Sequence, residues 1–157
     1  MKNLSLLRID DRIIHGQVMM SWVKITKAKR IIIIDNKLVN DEFMKLIIEM
    51  AGPFGVDIDI YSEEDGFIEL KKELLVSTIV LFKTPTVINN LINKGLEVNK
   101  INVGGMGMIN GRKKLFRNIS ATEEEIEVFR NLTKKGIKVK IQIVPTEKEY
   151  DISNYLR

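Results

Sequence analysis

The stretch LSLLRIDDRIIHGQ (residues 4–17) joins an apolar run to the only histidine in the 157-residue chain. Leu4–Ile9 is near-continuously apolar, the pattern of a strand covered on both faces rather than one that alternates between core and water. Gln17–Thr26 follows with helical periodicity, so Asp10–Gly16 reads as a strand-to-helix loop. In an open α/β sheet such loops lie beyond the carboxyl ends of the strands, where ligands bind. His15 therefore sits at the edge where chemistry is expected.

The same alternation runs through the chain. Arg30–Ile34, Val56–Tyr61, Thr78–Phe82, Lys100–Val103 and Val139–Val144 read as further strands, and helix signals fall between them. Asn40 precedes Asp41-Glu42 and the periodic Phe43, Leu46, Ile47 and Met50, closed by Gly52-Pro53. Ser62-Glu63-Glu64-Asp65 opens a second helix, weakened by Gly66. Thr84-Pro85 fits a cap with proline at the first helical position. Thr122-Glu123-Glu124-Glu125 is a capping-box pattern, and Thr146-Glu147-Lys148-Glu149 repeats it at an expected last helix. The fold class is α/β: an open, mostly parallel twisted sheet with helices on both faces, one domain over residues 1–157.

Composition narrows the chemistry. Apolar residues at 45% and charged residues at 29% place the chain among globular domains. No apolar run approaches the ~18 residues that span a bilayer, and Met1-Lys2-Asn3 does not open a signal peptide. With no cysteine and one histidine, disulfides, thiol nucleophiles and thiolate metal sites are excluded and little is left to hold zinc. The net charge of +4 favours an acidic partner. The basic clusters around Lys24–Arg30, Arg112–Arg117 and Lys134-Lys135 lack interleaved aromatics, so they read as solvated surface rather than a nucleic-acid interface.

In that loop the imidazole has a specific use. Near neutral pH an ordinary imidazole is mostly uncharged and nucleophilic, and Arg12 or Arg8 would keep it so. The helix N-terminus offers free N–H groups to an anion. Phosphoryl transfer depends on positioning and on stabilising charge over the phosphoryl oxygens, which suits a guanidinium fork. His15 is thus the candidate phosphoryl acceptor and Arg12 the charge clamp. Asp10 and Asp11 are candidates for orienting the imidazole or holding Arg12, and the residues alone do not choose between them. Gly16 and Gln17 at the helix start, Arg8, and the strand-end groups Thr84, Thr86, Gly104 and Gly105 are candidate phosphate contacts. The run Gly104–Arg112 holds four glycines and reads as a shaped loop, without the G-x-G-x-x-G spacing of a dinucleotide site. Trp22 reads as packing. Rival readings are a non-catalytic nucleotide- or nucleic-acid-binding α/β module, and a hydrolase or lyase with His15 as general base.

RIDDRIIHGQV followed by Trp22 resembles the active-site signature of the B component of the bacterial sugar phosphotransferase system, in its mannose/fructose/sorbose family. RIIIIDN (30–36), LFKTPT (81–86), INVGGMGM (101–108) and GIKVKIQIVP (136–145) extend the likeness over nearly the whole chain. The resemblance implies a cofactor-free phosphotransferase whose His15 takes a phosphoryl group from the phosphohistidine of an A component. It then passes the group to a sugar moved by membrane C and D components. It implies that Arg12 assists, and that the loops around His15 form the docking surface. The chain is expected to be free-standing, cytoplasmic and peripherally associated with the transporter, without a nucleic-acid partner. Sugar identity and homo-oligomerisation are left open.

Overall fold

The computed structural model describes residues 1–156. Seven strands form one sheet in the order β3-β2-β4-β1-β5-β8-β9. These are β1 (Leu4–Asp10), β2 (Arg30–Ile34), β3 (Asp57–Tyr61), β4 (Thr78–Phe82), β5 (Lys100–Gly105), β8 (Lys138–Ile141) and β9 (Tyr150–Asp151). A separate hairpin, β6 (Lys113–Phe116) and β7 (Ile119–Ala121), follows β5. All pairings in the large sheet are parallel except β8 with β9. The sheet is thus mostly parallel, as the near-continuous apolar strands require.

Among the described residues five α-helices cover it: α1 (Gly16–Thr26), α2 (Glu42–Ala51), α3 (Glu63–Lys71), α4 (Pro85–Asn93) and α5 (Glu123–Lys134). Met19 and Trp22 of α1 and Ile48 of α2 pack with Ile31, Ile33, Ile79 and Leu81 on one face. Leu70, Ile88, Leu91, Ile126, Phe129 and Leu132 from α3, α4 and α5 pack with Ile32, Ile34, Val80 and Phe82 on the other. β1 lies between β4 and β5, with Ile9 opposite both Phe82 and Val103. The helix after β1 lies on one face and the α4 crossover between its neighbours on the other. Its carboxyl end therefore opens into the crevice where the loop carrying His15 begins.

Most helix signals act as the sequence suggests. Ser62 Oγ accepts from Asp65 N at 3.1 Å, Pro85 occupies the first turn of α4, and Thr122 with Glu125 forms a complete capping box. Three details differ. The cap of α2 is Asp41, whose Oδ1 accepts from Met44 N at 3.0 Å, while Asn40 donates back to Asn36 O. The periodic Phe43, Leu46, Ile47 and Met50 face outward, with Phe43 71% and Met50 77% exposed; Ile48 carries the buried side of that helix.

The third is the last helix, which does not form. Glu147 turns back so that its Oε1 accepts from Ile143 N at 2.6 Å, and Gln142 Nε2 donates to Glu147 O at 2.9 Å. Pro145 and the absence of an apolar face after Thr146 leave that capping pattern with no helix to cap. The chain instead adds β9 and one 3₁₀ turn, Ile152–Tyr155.

Gly66 lies inside α3, where alanine would ordinarily gain up to about 1 kcal/mol of helix propensity. Here a Cβ would lie 2.7 Å from Cδ1 of Ile34, a fully buried strand residue. Overpacking of that kind costs about 1–3 kcal/mol. Gly66→Ala is therefore expected to lower the urea midpoint, and a raised midpoint would show that the sheet gives way freely.

Candidate functional site

The site is built around Asp10, the last residue of β1, whose side chain is fully buried. Its Oδ2 accepts from Arg8 Nη2 at 3.0 Å, Arg12 Nη2 at 3.1 Å and His15 Nε2 at 3.0 Å. Its Oδ1 accepts from Arg12 Nε at 3.0 Å and the Arg12 backbone N at 3.1 Å. Burial opposes the charged carboxylate, but the Arg12 hydrogen bond, the Arg8 charge and the His15 hydrogen bond outweigh it and hold its pKa below the usual aspartate range. Asp10 is ionised and can only accept.

Arg8 is fully buried. Nη1 donates to Asn102 Oδ1 at 2.6 Å and to Gln142 O at 3.0 Å, and Nη2 also donates to Ile143 O at 3.0 Å. Burial lowers its pKa, opposed by the Asp10 charge and hydrogen bond. Its guanidinium carbon lies 5.3 Å from the centroid of the Trp22 ring, and Trp22 Nε1 donates to Ile143 O at 2.9 Å. Arg8 is thus a strut for Asp10. This corrects its reading as a phosphate contact, because protein groups surround it and no solvent-facing side remains. Trp22 is packing, as expected.

Gly104 and Gly105 also take a different role. Both are buried at the end of β5, not in an open loop. A Cβ on Gly104 would fall inside the Arg8 guanidinium, and one on Gly105 would lie 2.9 Å from Arg12 Nη2 and 2.9 Å from Asp10 Oδ1. These glycines make room for two arginines rather than for a phosphate. Gly104 O accepts from Arg12 Nη2 at 3.3 Å and from Asn118 Nδ2 at 2.8 Å.

The loop after Asp10 turns sharply. Ile13, a β-branched residue, has φ 60°, a strained conformation that persists only when surroundings enforce it. Its side chain is buried against the α1 cluster, and its N–H donates to Asp10 O at 3.0 Å. That anchor turns Arg12 and His15 to the same carboxylate. His15 is the residue just before α1, and no side chain caps that helix. The N–H groups of exposed Gly16 and Gln17 lie beside it in the first turn, and no acidic residue competes there.

The Arg12 side chain is 43% exposed, and the His15 side chain 23%. Nε and Nη2 of Arg12 are engaged, whereas no hydrogen bond engages its Nη1 among the described residues. Thr84 and Thr86 follow β4 at the same sheet edge, partly buried and exposed respectively; no hydrogen bond joins either side chain to the His15 loop among the described residues. Asp11 makes no hydrogen bond to the imidazole among the described residues. Its Oδ2 accepts from Gly107 N at 2.8 Å and Arg112 Nη1 at 3.2 Å. The side chain of Arg112 is 3% exposed, which removes it from the basic surface cluster.

The pH dependence of stability is expected to carry the signature of Asp10. A carboxylate whose pKa is lowered by folding contributes stability that is complete above the ordinary aspartate pKa of about 3.9 and is lost as pH falls toward the folded value. Asp10→Asn is expected to lose about 3 kcal/mol at pH 7, because Arg8 is left as an uncompensated buried charge. It should also show a flatter decline in stability below pH ~4 than the unmodified chain. Urea titrations across pH test this; parallel acid limbs would contradict it.

Residues 4–157 match the family model described as "PTS system sorbose subfamily IIB component". The chain is 34% identical over 160 residues to the PTS system fructose-specific EIIB component of Bacillus subtilis, covering 100% of this chain and 98% of that protein. It is 30% identical to the PTS system mannose-specific EIIAB component of Escherichia coli, covering 92% of this chain and 45% of that protein. The crystal structure of the IIBSor domain of the sorbose permease from Klebsiella pneumoniae superposes with a TM-score of 0.88 at 31% identity, over 98% of this chain and 95% of that one. With a family model spanning almost its whole length and a shared fold, this chain belongs to the sorbose-subfamily IIB components of the sugar phosphotransferase system, a family of phosphotransferases.

Proposed function

We propose that His15 accepts a phosphoryl group on Nδ1 from the phosphohistidine of an A component. It then passes the group to a sugar carried by membrane C and D components. The observation that carries this reading is the hydrogen bond from His15 Nε2 to Asp10 Oδ2 at 3.0 Å. An ionised carboxylate accepts only, so Nε2 holds a proton and, in the neutral ring, Nδ1 keeps its lone pair.

The transfer balances on these groups. The Nδ1 lone pair forms the new P–N bond as the donor's P–N bond breaks, and the bonding electrons return to the donor imidazole. The His15 ring, still protonated at Nε2, becomes a cation, and the Asp10 carboxylate stabilises it, as the aspartate does for the imidazolium of a catalytic triad. Arg12 supplies charge to the phosphoryl oxygens through its exposed guanidinium edge while its other edge stays on Asp10. The uncapped first turn of α1 adds amide donors at Gly16 and Gln17. Onward transfer reverses the geometry: a sugar hydroxyl attacks phosphorus, its proton leaves to water, and the electrons of the P–N bond return to Nδ1.

Gly104, Gly105, Thr84 and Thr86 are not assigned phosphate contacts. Among the described residues no helix is long and apolar enough to cross a membrane, so the reading places the chain against the transporter rather than within it. The acceptor sugar is left as a class, because His15 and Arg12 recognise phosphate.

Incubation with a phosphorylated A component is expected to add one acid-labile, base-stable phosphate, with phosphorus coupling to Nδ1 in ¹⁵N-labelled protein. His15→Gln should take none. A label on Nε2, or equal labelling of His15→Gln, would overturn the proposal. Arg12→Lys keeps the charge but loses the fork; it is expected to slow transfer at saturating donor about tenfold with little change in the unfolding midpoint. An unchanged rate would remove Arg12 from the chemistry.

A further inference from the structure

Asp11, next to the carboxylate that holds His15, belongs to a second and separate network. Arg112 Nη1 bridges Asp11 Oδ2 at 3.2 Å and Gly107 O at 2.9 Å. Its Nε and Nη2 reach Glu125 Oε1 at 2.9 Å and Oε2 at 3.0 Å. Glu125 is itself fixed, because Oε1 accepts from Thr122 N at 3.0 Å and its own N–H donates to Thr122 Oγ1 at 3.0 Å in the capping box of α5. Bidentate pairing of this kind is directional and strong. One buried guanidinium thus ties three things together: the loop of His15, the start of the loop after β5, and a helix end.

The segment so tied is Gly107–Gly111. It leaves β5 directly beside the His15 loop, since Asp10 is in register with Gly105 and Asp11 N donates to Gly105 O at 3.1 Å. It closes on itself through Arg112 N to Ile109 O at 3.0 Å. At its tip Met108 is 63% and Ile109 60% exposed. Two large apolar side chains held out from a braced turn gain nothing for the fold.

We propose that Arg112 is a positioning residue for docking: through Asp11 it holds the Gly107–Gly111 loop so that Met108 and Ile109 form an apolar lip beside His15 that seats the phosphodonor protein. This rests on the phosphotransfer reading above. A phosphohistidine carried by a protein reaches Nδ1 only if the donor's surface closes to contact around the imidazole, and the loop that bears the lip is tied to the His15 loop through Asp11 and Gly107 N. Methionine suits a surface that must seat and release a partner, being flexible and polarisable. Methionine and isoleucine side chains offer no hydrogen bonds to a sugar's hydroxyls, so the lip fits a protein face. Arg12 meets the phosphate and the lip anchors the carrier, which divides charge recognition from apolar contact.

The experiment uses the full chain with Met108→Ser and Ile109→Ser combined, both on exposed side chains, and a phosphorylated A component at varied concentration, with labelling of His15 followed by rapid quench. The expected result is a KM for the donor raised about tenfold while the rate at saturating donor stays within about twofold. Asp11→Ala should give the same split, and Asp11→Asn, which keeps an acceptor for Gly107 N, should restore most of the donor affinity. Unchanged KM in the double variant, a loss confined to the saturated rate, or a defect seen only in onward transfer to the sugar would overturn the lip's role. The unmodified chain run in parallel separates the two claims: absence of label there removes phosphotransfer and the lip together, whereas normal label with unaltered variants removes the lip alone.

Discussion

A single buried carboxylate organises the reactive end of this molecule. Asp10 ends the central strand β1, and Arg8, Arg12 and His15 converge on it from the strand, the turn and the helix start. A buried ionised carboxylate is costly unless paired and hydrogen-bonded on all sides. That cost specifies the arrangement: Arg8 from below cancels the charge, and Arg12 and His15 occupy the remaining lone pairs toward the crevice. An imidazole bound in this way keeps one tautomer and one orientation, which is what the proposed phosphoryl acceptor needs.

The supporting structure follows from that requirement. Arg8 can be buried because Asn102, Gln142 and Ile143 supply acceptors, and because Gly104 has no side chain to obstruct the guanidinium. The strained backbone of Ile13 is held by its burial in the core beneath α1. Asp11, one residue along, has other partners and braces the neighbouring loop through Gly107 N and Arg112. Two adjacent aspartates thereby serve distinct ends, one electrostatic within the site and one mechanical at its rim.

Much of this was legible from residues near one another in the chain. The apolar run, loop and helix of residues 4–26 marked the strand end and placed His15 there, and the caps at Ser62 and Thr122 and the proline opening α4 were local signals that the fold obeyed, whereas Thr84 stands at the start of α4 without a side-chain capping bond. What escaped was non-local. Apart from Asp10, the partners of Arg8 lie 94 to 135 residues away, so a buried strut and an exposed phosphate ligand look alike in sequence. Gly104 and Gly105 suggested a loop, and their value as empty space appears only when two arginines are packed against them. The capping pattern at Thr146 failed because no apolar face followed it. The periodic side chains of α2 were correct for a helix but did not reveal which side faced the sheet.

The central claim is that Asp10 fixes the proton of His15 on Nε2 and leaves Nδ1 free. Nitrogen-15 shifts of the imidazole at pH 8.5, where an ordinary imidazole is neutral, report this directly in the unphosphorylated protein. The account predicts a protonated-type shift at Nε2 and an unprotonated-type shift at Nδ1, with that difference reduced in Asp10→Asn. A proton on Nδ1, or averaged shifts typical of a freely exchanging ring, would contradict it.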